Sequence, residues 1–137
     1  MFEKILLAVD GSPHSSKTVP VASDLASRYG STVKVLHVRE HGRHEGTDVD
    51  LGPPMDPDEL VEGVVATLQA AGVSASGEVR RVSPGSTPEE IVDAAEKDGA
   101  SLIVMGTRGM TEWRSLLLGG VANKVVHHAG CPVLLVR

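Results

Sequence analysis

Short apolar runs alternate with segments of helical periodicity along the whole chain, and this alternation limits the fold more than any other feature. Phe2 to Val9 is an apolar run ending in Asp10 and Gly11, the pattern of a strand buried on both faces. Ser12 and Pro13 then read as an N-cap followed by proline in the first helical position. Val19, Ala22, Leu25, Ala26 and Tyr29 recur at helical spacing up to Gly30, and Pro20 is expected to kink that helix because it has no N–H to donate. Thr32 to Val38 is the second strand. His41 to Pro57 is rich in Gly, Pro, His and Asp without periodicity, which predicts a long mobile loop at about 40–57. Asp58 to Ala71 is a second helix, with Gly72 as its cap, and Ser76 to Ser83 is a weaker strand whose Glu78, Arg80 and Arg81 suit a sheet edge. Thr87, Pro88 and Glu90 predict a helix start with a capping box, and Gly99 its end. Residues 101–105 form a fourth strand, residues 121–128 a helix capped by Gly130, and residues 132–136 the final strand. Five strands alternating with helices predict a single domain over residues 1–137, with a parallel α/β sheet and helices on both faces.

The loop after the fourth strand carries the chemistry. Gly106 and Gly109 follow the strand, and Gly119, Gly120 and Val121 open the last helix. Glycines between a strand and a helix let the backbone approach a ligand with no Cβ in the way. The N–H groups at a helix start favour an anion. The pattern suggests a phosphate site, of the kind that holds a nucleotide.

Composition narrows the alternatives. The formal net charge of −5 lacks the basic face of a general nucleic-acid binder. With one Phe, one Trp and one Tyr there is little aromatic surface for stacking bases. Cys131 is the only cysteine, which rules out an intrachain disulfide and reads as a small buried hydrophobe. No signal peptide is visible and no apolar run approaches the roughly 20 residues of a membrane span, so a cytoplasmic protein is expected. There is no nucleophile elbow, no Walker loop and no zinc-protease His pair. Slow ATP hydrolysis is the most that could be expected of it as an enzyme, since only Glu112 in the loop could position water.

Over essentially its whole length the chain resembles the universal stress protein family. The resemblance rests on Ile5 to Ser12, on Val35 to Val38, on Leu102 to Gly106, on Gly106, Gly109 and Gly119 at the spacing of the nucleotide-binding branch, and on Cys131 to Val136. It implies a doubly wound five-stranded sheet of order 3-2-1-4-5 that dimerises through the last strand, acting as an ATP-binding stress-response regulator or nucleotide sensor. In that order the switch point lies between the first and fourth strands, where ligands of open α/β sheets bind, and Asp10 and Gly106 end those two strands. The resemblance also implies roles. Asp10 would lie near adenine and ribose, and Ala8 and Val38 would contact the adenine. Met105 would belong to the nucleotide site, and the stretch from Gly106 through Arg108 to Gly109 would lie along ribose and phosphates. Gly119, Gly120 and Val121 would donate N–H groups to the phosphates. Mg²⁺ or Mn²⁺ would be held by the phosphates and water. One departure matters: the family's Ser or Thr after the third glycine is Gly120 here. A lost hydrogen bond to a charged oxygen costs roughly 1.5–3 kcal/mol, about 10- to 100-fold in affinity, so weakened binding is expected.

Other residues keep two readings. Asp10 also fits a turn residue bonding its own backbone. Arg108 and Arg114 fit phosphate contacts or a solvated loop, and Trp113 fits a lid or a dimer interface. Thr111 and Ser115 would be substitutes for the missing hydroxyl. His37, His41 and His44 lack the further ligands a zinc site needs. His127 and His128 suit the negative end of a helix. The rival to the nucleotide reading is a nucleotide-free dimer that binds a protein partner.

Overall fold

The computed structural model describes residues 1–107 and 120–137. Its parallel strands are β1 (Lys4–Ala8), β2 (Thr32–His44), β4 (Ser74–Val82), β5 (Leu102–Gly106) and β6 (Val133–Val136), with a short antiparallel β3 (Thr47–Asp50). The parallel strands lie in the spatial order β4-β2-β1-β5-β6. Counted without β3, this is the expected 3-2-1-4-5. The helices are α1 (Pro13–Ser16), α2 (Thr18–Tyr29), α3 (Pro57–Ala70), α4 (Thr87–Asp98) and α5 (Gly120–His128).

Parity along the strands divides the core into two layers. Ile5, Leu7, Val33, Val35 and Val104 pack with Ala22 and Ala26 of α2 and Val61 and Leu68 of α3. Leu6, Leu36, Ile103 and Met105 pack with Ile91 and Ala94 of α4 and Ala122 and Val125 of α5. Fully burying an aliphatic side chain contributes about 1.5–3 kcal/mol, and Ile5, Leu6 and Leu7 have no exposed surface at all. That is why β1 reads as an unbroken apolar run. Among the described residues no helix is long and apolar enough to cross a membrane.

Several local expectations need correction. The loop expected at about 40–57 begins as a hairpin: β2 runs on to His44 and pairs with β3, with His41 opposite Asp50 and His44 opposite Thr47. The connection is two residues, Glu45 and Gly46, both at positive φ (51° and 79°), the primed turn whose twist matches an antiparallel pair. The break caused by Pro20 falls upstream of it, at Lys17 between α1 and α2. Proline cannot donate to the carbonyl one turn before it, here Ser16, and its ring crowds that carbonyl. Ser12 does cap α1, accepting the Ser15 N–H at 3.0 Å. In α4 the N-cap is Ser86 without a side-chain bond, not Thr87, and no capping box forms. The Glu90 carboxylate instead takes the Arg80 guanidinium at 2.9 Å. Gly130 does not adopt the left-handed cap conformation after α5. Cys131 is half-buried, and burial pushes its thiol up, which favours the unreactive protonated form.

The Arg80 cluster ties the edge strand β4 to α4. Arg80 also bonds Glu78 at 2.7 Å and Asp93 at 3.0 Å, and Lys34 reaches Glu78 at 3.0 Å. Burial alone would raise the Glu78 carboxyl, but hydrogen bonds from Arg80 and Lys34 outweigh it and hold it below its ordinary 4.5. Lys97 and Arg80 hold Asp93 below its ordinary 3.8. Both carboxylates therefore contribute stability above those ordinary values, and the contribution is lost as pH falls through their depressed folded values. Arg80→Met leaves the carboxylates without their shared cation. It is expected to cost about 1–3 kcal/mol in urea denaturation near neutrality, between the values for exposed and buried pairs. The gap from the parent protein should narrow as the carboxylates are protonated. An equal gap at neutral and acid pH would contradict this account.

Candidate functional site

The site is built where β1 and β5 end, because the chain leaves these neighbouring strands in opposite directions. β1 connects through α1 and α2 to β2 on one side, and β5 connects through α5 to β6 on the other. The crevice between the two departures is where ligands of open α/β sheets bind.

The turn after β1 is held by three local hydrogen bonds. The Asp10 carboxylate accepts the Ser12 N–H at 2.8 Å, the Ser15 hydroxyl accepts the Asp10 N–H at 3.0 Å, and Ser12 in turn caps Ser15. Asp10 therefore does what a turn aspartate does, and its side chain remains partly exposed at the crevice. The Val9 N–H extends the pairing with β2 by bonding the Leu36 carbonyl at 2.9 Å.

The candidate adenine contacts share one face of the sheet. Ala8 and Val38 pack against the same layer as Met105, the layer beneath α4 and α5. Ala8 and Val38 are half-buried, and Met105 is 5% exposed. Gly106 closes β5, paired with Val136, and the Thr107 N–H bonds the Val136 carbonyl at 3.1 Å. Gly120 and Val121 form the exposed start of α5, which packs on this same face through Ala122 and Val125. The expected roles of Arg108, Gly109 and Gly119 fall outside the described residues, as do those of Thr111, Glu112, Trp113, Arg114 and Ser115.

On the opposite face of β2 stand residues that the sequence reading did not assign to the site. Arg39 is 5% exposed, and its Nε donates to the Asp50 carboxylate at 2.8 and 3.0 Å. Its Nη2 donates to the Pro53 carbonyl at 2.7 Å. The signal was the inward-facing alternation Val33, Val35, His37, Arg39, which continues past the expected strand end. His37 is 2% exposed and lies 2.8 Å from the Val9 carbonyl through Nδ1. A carbonyl can only accept, so neutral His37 carries its proton on Nδ1.

A groove of about 520 Å³ also lies between α2 and α3, lined by Val19, Pro20, Leu60 and Val64 among others. It contains none of the candidate nucleotide residues.

His37 makes a pH prediction. Burial pushes its pKa below 6.5, the Val9 carbonyl opposes this, and the nearby Arg39 cation adds to the lowering while Asp10 and Asp50 work against it. The unfolded chain takes up the proton first. Stability is thus fully present above about 6.5 and declines as pH falls from there toward the folded value. NMR titration should show His37 as the Nδ1–H tautomer, titrating below the ordinary 6.5. An ordinary midpoint would contradict the burial argument.

The universal stress protein family model matches residues 1–137. The chain is 37% identical to the universal stress protein of Thermus aquaticus encoded in the QAH/OAS sulfhydrylase 3′ region, over 142 aligned residues covering 100% of both chains. Its structure is similar to that of the universal stress protein from Archaeoglobus fulgidus in complex with dAMP, with a TM-score of 0.74, 23% identity and 100% of each chain covered. It is also similar to a universal stress protein in complex with cAMP, with a TM-score of 0.68, 20% identity and 99% and 97% coverage. At these identities the two structures speak to the fold. A family match over the whole chain, with a relative of this identity and full coverage, shows that the chain belongs to the universal stress protein family.

Proposed function

We propose that this protein binds an adenine nucleotide, ATP with Mg²⁺ or Mn²⁺ in the first instance, and acts as a nucleotide-responsive regulator in the stress response. One observation carries the reading. The apolar floor of Ala8, Val38 and Met105 lies in the layer that also holds Ala122 and Val125 of α5, and Asp10 and Gly106 stand at the ends of the neighbouring strands β1 and β5. This donor set suits the ligand's parts. An adenine ring takes the apolar floor, a carboxylate accepts from ribose hydroxyls or an exocyclic amine, and a helix start favours phosphate. The universal stress proteins whose structures are in complex with dAMP and cAMP support the same ligand class. The metal would enter with the phosphates, which would supply most of its ligands together with water. It would neutralise phosphate charge.

Oligomerisation belongs to the same reading. Among the described residues β6 ends the sheet with one edge paired to β5, and Leu134, Val126 and Val121 are 36%, 43% and 37% exposed. An apolar edge strand of this kind is covered by a second copy in a homodimer through the last strand. Sedimentation should give a dimer that Leu134→Lys weakens. An unchanged distribution would remove this interface. The dimer surface, or a surface ordered by nucleotide, is where a protein partner would be contacted.

Calorimetry with ATP and Mg²⁺ tests the ligand. The wild type should bind, Asp10→Ala should weaken binding, and Gly120→Ser should tighten it by about 10- to 100-fold by restoring a hydroxyl donor. No heat from either the wild type or the serine variant would contradict the reading. Binding by the serine variant alone would mean the pocket persists without its ligand, favouring the nucleotide-free protein-interaction module.

A further inference from the structure

We propose that residues 51–56 form a strap that holds the Asp10–Ser12 turn from behind, with Arg39 and Met55 as the positioning residues of the switch-point site. In its bearing on ligand affinity this rests on the nucleotide reading above; as a device of the fold it stands separately.

The strap is fixed at both ends. Upstream, Asp50 accepts from Arg39 and also from the Gly52 N–H at 2.8 Å. Downstream, Asp56 caps α3, accepting the Asp58 N–H at 2.8 Å. Between these anchors the Pro53 carbonyl accepts two hydrogen bonds, one from Arg39 Nη2 and one from the Met55 N–H, each at 2.7 Å. The nearly buried guanidinium of β2 therefore sets the position of the Met55 backbone through a single shared acceptor.

Met55 passes that position on to the site. Gly11 sits at φ 82°, and a Cβ there would come within 2.5 Å of both Sδ and Cε of Met55 and 3.5 Å of Leu60. The thioether thus occupies the notch that the missing side chain leaves, directly beside Asp10. Arg39 shares its face of β2 with Val33 and Val35, which belong to the layer under α2 and α3. The candidate adenine floor faces the other layer. The strap and the ligand site therefore meet the same turn from opposite sides of the sheet. The turn's own hydrogen bonds are short-range, and the two that Asp10 makes are only part-buried, so an apolar plug behind Gly11 is what keeps Asp10 from swinging away from the crevice. An Arg39 contact that lies outside the crevice then acts on the site through packing.

Amide hydrogen exchange of the ligand-free protein tests the device, with ATP and Mg²⁺ calorimetry on the same variants. Met55→Ala should speed exchange at the Ser12 and Ser15 amides about tenfold, and Met55→Leu, which refills the notch, should restore it. Arg39→Met should speed the same amides together with those of the strap. The Ile103 amide in β5 should be unchanged in every variant, because a general loss of stability would speed that amide too. ATP affinity should fall in Met55→Ala and recover in Met55→Leu. Unchanged exchange at Ser12 and Ser15 in Met55→Ala overturns the strap, whatever the nucleotide does, and this variant decides the matter alone if Arg39→Met does not fold. A wild type that does not bind ATP overturns the nucleotide reading only, and the exchange data still decide whether the strap positions the turn.

Discussion

Two-sided burial of β1 is the constraint on which the rest depends. Ile5, Leu6 and Leu7 are fully buried, and the strand is paired along both edges, to β2 and β5. A parallel strand flanked in this way needs crossover helices on both faces. Because parallel crossovers are right-handed, covering both faces requires the chain to run outward from β1 in one direction and return to add strands in the other. The crevice at the ends of β1 and β5 is a consequence of that winding. A candidate site at Asp10 and Gly106 is therefore set at the ends of the two strands between which that winding reverses.

The two faces at that crevice are built from different chemistry. Toward α4 and α5 the strand ends present Ala8, Val38 and Met105, small or apolar groups suited to a flat ring. Toward α2 and α3, β2 presents His37 and Arg39, both buried. Burial of a guanidinium is costly unless it is paired and hydrogen-bonded. Asp50 pairs its Nε and the Pro53 carbonyl its Nη2, leaving the buried Nη1 without a partner among the described residues, and these contacts draw the hairpin and the segment after it onto the sheet. One buried charge thus organises a region whose own sequence carries little hydrophobic drive. The Arg80 cluster does a similar task at the β4 edge, where the strand is only half-buried and α4 is attached partly through carboxylates.

The sequence made the parallel sheet legible because it rests on local signals: apolar runs of strand length, helical periodicity and the Ser12-Pro13 helix start. What it concealed depends on partners distant in the chain. Arg39 and Glu40 look like the end of a strand, and only Asp50 and Pro53 explain why β2 continues. Glu45 and Gly46 are a weaker turn signal than Asn-Gly, and the polar hairpin around them has no hydrophobic alternation to reveal it. Glu90 stands where a capping box would use it, but Arg80, ten residues earlier, competes for the carboxylate and wins through a charged pair. For the candidate site, the positions of Asp10, Gly106, Gly120 and Val121 at one end of the sheet were legible from strand ends and glycine spacing. Met55 was not, since its place depends on the empty space at Gly11, a property of the folded turn.

The central claim is that an adenine nucleotide occupies the switch point on the α4 and α5 face. Mapping backbone amide shifts during addition of ATP and Mg²⁺ to the isotope-labelled wild type tests it most directly. The account predicts the largest changes at Ala8 to Ser12, Val38, Gly106, Thr107, Gly120 and Val121, with little change around Val19, Leu60 and Val64. Changes concentrated in the groove between α2 and α3, or none at saturating nucleotide, would contradict it.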